Sequence, residues 1–286
     1  MQTVYPSFYK DFICKAEKCG HSCCRGWEID IDDASMEKYQ SMDGQLGLDL
    51  MVYTTCENGV SKFILNSDDQ CPFLLRNGLC RLIIEGGEDL LCNICASHPR
   101  FYTVAGDFEL AGTGLSCEKT CELLLADDEP LMFFLEGSGE KMDFYQLIDR
   151  LGFKMLKNEM LFVPGLTRLE ACNVLDTMAR TEPIDDKWVT DINNYREYLI
   201  MNPDILKRYR EQVDDGILQK IYQYIVYRQL TKLTEATTED LLIYADCSME
   251  YIFIAAAISG DLHEAVRRWS EQIEYCTENV DMLLLG

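Results

Sequence analysis

Apolar side chains in the C-terminal part of the chain recur with the period of a helix. Across 261–285, Leu262, Ala265, Val266, Trp269, Ile273, Cys276, Val280 and Leu284 follow one another at steps of mainly three and four, which lines one buried face of a helix. Cys276 falls on that stripe, where a small buried apolar residue is the simplest reading. Similar stripes run through 145–161, 166–178, 203–230 and 238–259. Pro203 stands near a helix start, as its sterics allow. Thr238-Glu-Asp and Asp261-Leu-His-Glu264 read as N-terminal caps, the second resembling a capping box. The pattern predicts a helical bundle.

Upstream the pattern is less regular. Short β-like runs at 62–65, 82–84 and 108–110 alternate with cysteine-bearing loops, and a helical stretch covers 34–41. Asp127-Asp128-Glu129-Pro130 and Gly137-Ser-Gly139 punctuate the change of character. The expected organisation is mainly α, with an irregular cysteine-cluster region with short strands at 1–125 packed on a helical bundle at 126–286.

Length and composition add bounds. With 286 residues and 48% hydrophobic side chains, the chain can bury a full core in one large domain or two small ones. A formal net charge of −23, from 26 Lys+Arg against 49 Asp+Glu, opposes nucleic-acid binding, because a phosphate backbone needs a basic footprint. A cationic protein surface is the easier partner, although solubility also accounts for such a charge. The start, Met1 to Lys10, carries no secretory signal pattern, and no uninterrupted apolar run reaches the roughly 18 to 20 residues of a membrane span. The expected location is the cytoplasm, without membrane insertion.

Cysteine placement carries the chemistry. Of the 14 cysteines, 11 lie between Cys14 and Cys121. Thiols at that density in a chain without an export signal read as a metal or iron–sulfur site rather than as disulfides. Cys19-x3-Cys23 sets two thiolates about one turn apart, Cys24 points elsewhere, and Cys92-x2-Cys95 supplies one zinc-type knuckle without a twin. Spacing alone leaves zinc and iron both open. Metal–thiolate bonds would supplement a modest core, so metal removal should destabilise the region.

The motifs Phe12-x-Cys14-x4-Cys19-x3-Cys23-Cys24-x-Gly26-Trp27-x-Ile29-x-Ile31-Asp32, Cys71-Pro72-Phe73-Leu74, Gly78-Leu79-Cys80, Cys95-x2-His98-Pro99-Arg100-Phe101 and Leu115-Ser116-Cys117 resemble the flagellin lysine-N-methylase family. They also resemble the broader zinc- or iron-chelating cysteine-cluster domain of bacterial proteins. The C-terminal Ser270-Glu271-Gln272-Ile273-Glu274-Tyr275, Glu278-Asn279 and Leu283-Leu284 resemble the end of the same family. The resemblance implies a bacterial enzyme that transfers a methyl group from S-adenosylmethionine to a lysine ε-amine of a protein substrate, flagellin by resemblance, with a [4Fe-4S] cluster. The ligand candidates it implies are Cys14, Cys19, Cys23, Cys24, Cys71, Cys80, Cys95 and Cys117, more than one cubane needs, with zinc as the alternative metal. His98 stands where the family usually has an aromatic before Pro-Arg, and Cys56, Cys92 and Cys121 are additional, so Cys92, Cys121 or His98 could substitute for one of the implied ligands.

Familiar S-adenosylmethionine signatures are missing. Glu136-Gly-Ser-Gly139 matches a nucleoside-binding turn poorly, and Cys19-x3-Cys23 and Cys117-x3-Cys121 lack the third thiolate of the radical spacing. An atypical site at the cluster itself is the expectation. A lysine ε-amine of pKa near 10.4 must lose its proton before attack, so the site must desolvate it or supply a base. Asp32 is the acidic candidate, with helix capping before Ala34 as the ordinary alternative. Arg100 could pair with a substrate carboxylate, and otherwise serves in a structural ion pair. His21, inside the cysteine run, could be a ligand or proton relay, with an exposed loop histidine as the ordinary reading; His263 reads as a surface or packing residue, and Trp27 as an aromatic cover over the metal loop. The other classes open are a non-catalytic metal-binding or redox-sensing module and another iron-dependent peptide-modifying enzyme.

Overall fold

The computed structural model describes residues 1–153 and 160–285. The chain is mainly α-helical and forms two compact units: Met1–Phe12 together with Phe101–Gly286, and Ile13–Arg100. The junction placed near residue 125 falls inside the first of these.

The chain opens with β1 (Gln2–Pro6), which belongs to the first unit. The second unit follows with β2 (Asp30–Ile31), α1 (Asp33–Gln40), α2 (Gly44–Val52), β3 (Thr54–Glu57), β4 (Val60–Phe63), α3 (Arg81–Gly86) and α4 (Asn93–Ser97). Its sheet has the order β2-β4-β3. Asn58 and Gly59 close the β3–β4 hairpin with φ of 53° and 84°, the left-handed pair that a tight turn between twisted strands requires. Ile29, Ile31, Tyr39, Leu46, Leu50, Phe63, Phe73, Leu82 and Leu90 form the unit's core. The run 82–84, expected as strand, is helical in α3: Leu82 is buried while Ile83 and Ile84 are both exposed, so the alternation of a strand is lacking.

The first unit resumes with β5 (Arg100–Ala105), β6 (Phe108–Thr113), α5 (Glu118–Leu124), β7 (Met132–Leu135), β8 (Lys141–Asp143) and α6 (Phe144–Arg150). Its sheet has the order β5-β6-β1-β7-β8, with β1 parallel to β6 (Val4 opposite Leu110) and antiparallel to β7 (Val4 opposite Leu135). The helix expected over 145–161 begins as α6, and its 154–159 portion lies outside the described residues.

The helical part continues with α7 (Arg168–Met178), α8 (Asp186–Met201), α9 (Ile205–Arg210), α10 (Asp215–Gln229), α11 (Thr238–Ser259), α12 (Leu262–Gln272) and α13 (Thr277–Leu285). α10 buries residues around its whole circumference, Tyr222, Tyr224, Ile225, Val226 and Tyr227 among them. It is a core helix rather than a surface one. α11 is long and apolar enough to cross a membrane by length and composition, and 67% of its most apolar window is buried inside the fold. Its N-cap is Thr237, one residue before the expected Thr238, with Asp240 completing a capping box. Asp261 caps α12 through the Glu264 N–H, as expected. The stripe over 261–285 forms two helices rather than one, and Cys276 is half-buried at the break. Gln272 and Asn279 satisfy polar groups around that break, both donating to the carbonyl of Glu182. The 203–230 stripe is likewise divided, into α9 and α10.

Candidate functional site

The site builds from backbone pairing in the second unit. Arg25 and Gln70 form an antiparallel bridge, Cys71 N–H donates to the Cys24 carbonyl at 2.9 Å, and Gly26 N–H donates to Asp69 O at 2.8 Å. These bonds lay the 24–26 loop against 69–71. A second bridge joins Leu74 to Cys80, and Arg81 N–H reaches Phe73 O at 2.9 Å. Three cysteines distant in sequence, Cys24, Cys71 and Cys80, are thereby brought against one apolar core, where Cys92 and Cys95 join them. All five are thiols rather than disulfides. Cys71 and Cys92 are buried, at 6% and 0% exposure.

Backbone amides lie near three of the five sulfurs. The Phe73 N–H near Cys71, the Leu82 and Ile83 N–H groups near Cys80 and the Cys95 N–H near Cys92 favour the thiolate forms. Cys80 and Cys92 are the N-cap residues of α3 and α4, and neither side chain makes a capping hydrogen bond; the amides near them are those that a helix start leaves unpaired. Burial nevertheless pushes the Cys71 thiol up to about 12 and raises Cys80, with the charges of neighbouring thiols adding to both. Cys92 and Cys95 share a proton. Hydrogen bonding from Cys95 draws Cys92 down to about 7, while the same bond, with burial, holds Cys95 protonated. Hydrogen bonding from Cys23 draws Cys24 down to about 7, aided by Ser22 and Arg25. Tyr39 borders the group: burial and then the charges of Cys92, Cys95, Asp32 and Cys80 raise its phenol, which donates to Leu90 O at 2.8 Å.

The remaining candidates take different places. In the loop before this core, Ala16 N–H donates to the Cys14 sulfur at 3.4 Å and Cys19 S–H donates to His21 O at 3.1 Å. Cys23 is exposed, and its carbonyl accepts the Trp27 indole N–H at 2.6 Å. The Trp27 ring lies 6.0 Å from that of His98 and packs against the thiol-bearing core. Cys117 belongs to the first unit, at the N-cap of α5. Arg100 is half-buried at the start of β5. Asp32 caps α1: Oδ1 accepts Ser35 N–H at 3.0 Å, and Oδ2 accepts the Ser35 hydroxyl at 2.9 Å and Asn93 N–H at 2.8 Å. The Asn93 bond, more than the Ser35 pair, holds its carboxyl below the ordinary value. His263 is exposed in the first turn of α12.

Cys92, a candidate substitute ligand by its sequence position, lies in this group. Its only sequence signal is the Cys92-x2-Cys95 spacing. Among the described residues, no three His, Cys, Asp or Glu side chains converge on a single ion. Thiols are nevertheless soft donors of the kind that thiophilic metals and iron–sulfur clusters take. A bound cationic centre would relieve the burial cost on Cys71 and Cys80 by replacing their protons.

No family model and no solved structure matches the chain. It is 24% identical over 150 residues to the flagellar biosynthetic protein FliU of Salmonella muenchen, covering 49% of this chain and 83% of that protein. It is 23% identical over 137 residues to lysine-N-methylases of Salmonella choleraesuis and Salmonella typhimurium, covering 44% of this chain. In those two cases the match spans only 33% of the relative's length.

Proposed function

We propose that this chain is a protein-lysine N-methyltransferase that carries a thiolate-bound [4Fe-4S] cluster and takes its methyl group from S-adenosylmethionine. The observation that carries the reading is the gathering of Cys24, Cys71, Cys80, Cys92 and Cys95 on one buried core. The likeness to lysine-N-methylases supports it. Three or four of those five thiols would hold the cluster; Cys14, Cys19 and Cys23 are further candidates in the same unit, and Cys117 is a candidate in the first unit. When bound, the cluster would supply a Lewis-acidic iron and a redox centre beside the methyl donor.

The chain's own residues contribute positioning and exclusion of water. The apolar walls from Trp27, Tyr39 and Phe73 lower the local polarity, which favours the neutral, nucleophilic amine of an incoming lysine. The net charge of −23 favours a lysine-bearing protein surface over an anionic partner. Flagellin is the substrate that the resemblance favours.

A non-catalytic thiol–metal module is the second reading. It is favoured by Asp32, whose two oxygens are committed to capping bonds rather than held ready for a substrate proton. Iron, zinc and acid-labile sulfide content of anaerobically purified protein, with its visible spectrum, tests the first reading. About four irons and four sulfides with absorption near 400 nm, followed by methyl transfer from S-adenosylmethionine to a lysine-bearing protein, is the expected result. Stoichiometric zinc without sulfide or colour would overturn it.

A further inference from the structure

Two stretches singled out in the sequence, Leu115-Ser116-Cys117 and Ser270 to Tyr275, meet in the first unit. Four consecutive residues ahead of Cys117 are each held by a side chain from elsewhere in that unit. Thr113 donates its N–H to the Tyr224 hydroxyl at 2.9 Å and accepts that hydroxyl's proton on its carbonyl at 2.7 Å. The Tyr275 hydroxyl lies so close to Gly114 that a Cβ there would stand 2.0 Å from its oxygen. Leu115 O accepts the Cys121 S–H at 3.0 Å, and the Leu115 backbone amide faces the Glu274 carboxylate. Ser116 hydrogen-bonds Tyr275.

Behind these contacts lies a buried ion pair. Arg228 Nε stands 3.3 Å from Glu274 Oε1, and the Glu274 side chain is fully buried. Ser270 donates its hydroxyl proton to the other carboxylate oxygen. The Arg228 guanidinium lies 4.5 Å from the Phe101 ring centre and 5.2 Å from that of Tyr275. The pair is not arranged for maximal stability. Among the described residues, Arg228 Nη1 and Glu274 Oε1 are buried without a geometrically acceptable hydrogen bond. Desolvating two charges with valences left over costs more than an apolar pair of the same size would. Such a pair is weak evidence for stability and is better suited to fixing one conformation.

We propose that Arg228, Glu274 and Tyr275 are positioning residues that preset the 113–117 turn and hold the Cys117 sulfur in one place, which deepens the proposed function and rests on the reading of Cys117 as a working thiol. Glu274 faces the Leu115 amide, Arg228 pairs with Glu274 and lies over the Tyr275 ring, and Tyr275 abuts Gly114 and bonds Ser116. A functional sulfur on a loop needs such a supporting shell.

The test compares the wild-type chain with the Arg228→Met/Glu274→Leu double variant. Iodoacetamide labelling of Cys117 is followed by peptide mass spectrometry, with Cys172 on α7 as internal reference, beside thermal unfolding. The expected result is an unfolding midpoint at or above that of the wild type, with Cys117 labelled about tenfold faster as the turn opens locally and Cys172 unchanged. An unchanged Cys117 rate, or one that rises only in step with Cys172, would overturn the proposal. If the double variant fails to fold, Tyr275→Phe, which keeps the ring over Arg228 and removes only the hydroxyl, must accelerate Cys117 selectively, and its failure to do so is equally decisive. Iron content of Cys117→Ser separates the two readings. Full iron content there removes Cys117 from the ligand set and leaves the positioning result standing.

Discussion

Asp32 Oδ2 accepts the backbone N–H of Asn93 at 2.8 Å across 61 residues, so the residue that caps α1 also fixes the first residue of the helix bearing Cys95. One carboxylate thus ties the sheet side of the second unit to its thiol core. Asp32→Ala should lower the stability of that unit by ~1–2 kcal/mol, the usual cost of a lost cap, and Asp32→Asn should recover most of it. Because the folded pKa lies below the ordinary value, the contribution is present above the unfolded pKa of about 3.9 and is lost as pH falls through the folded one. Thermal unfolding of both variants at neutral and acid pH checks this. A loss of methyl transfer in Asp32→Asn with stability and metal content intact would assign the carboxylate to catalysis instead.

The five-thiol group makes its own forecast. Serine at Cys71, Cys80 or Cys95 should reduce metal content and lower the unfolding midpoint together, because ligand binding and folding of such a region are linked. Cys92→Ser should do the same, although the resemblance would not nominate that residue. Cys56, exposed on β3, is the neutral control. Metal analysis and thermal unfolding of the anaerobic proteins decide the matter, and normal metal in Cys92→Ser would exclude the fifth thiol.

What could be read from the sequence followed the range of the interactions. The stripes of α7 and α11 were legible because a helix writes its burial into neighbouring turns. The division between α12 and α13 was not, since the apolar stripe runs through Ile273, Cys276 and Val280 without interruption. The break is instead held by Gln272 and Asn279 reaching back to Glu182. α8 gave a weak signal because only Trp188, Ile192 and Leu199 of its residues are buried. The pairing of β1 with β6 and β7 crosses more than 100 residues and leaves no local mark. The thiol core was partly legible: Cys71 and Cys80 stood in recognisable motifs, whereas the tie from Asp32 to Asn93 exists only in three dimensions.

Tyr227 offers a test of the first unit's sheet. Its hydroxyl, fully buried, lies 3.0 Å from Val4 O on β1 and 2.9 Å from Ala111 O on β6. It is shared between two carbonyls of adjacent parallel strands. Tyr227→Phe leaves the ring packing on Phe133, 4.7 Å away, and removes only the donor. The expected cost is about 1–3 kcal/mol, the penalty for buried acceptors left without their partner. Chemical denaturation measures it, and a cost near zero would mean that the two carbonyls are satisfied without the phenol.

Glu250 predicts a pH effect of the opposite sign to that of Asp32. It borders a groove of about 430 Å³ in the first unit, together with Leu166, Glu170, Val174 and Cys247. Burial, then the charges of Asp246 and Glu170, push its carboxyl up to about 7, and burial pushes Asp246 up to about 6. A carboxyl raised on folding favours the protonated native state. Its contribution is fully present below the unfolded value near 4.3 and is lost as pH rises through the folded one. Between about pH 4.5 and 7 the unit should therefore lose stability from this pair as the pH climbs. Glu250→Gln, neutral throughout, should be more stable than the wild type at pH 8 by ~1 kcal/mol after allowance for solvent screening, with the difference vanishing near pH 4.5. Unfolding midpoints across that range measure it. A constant difference at every pH would trace the effect to packing rather than to charge.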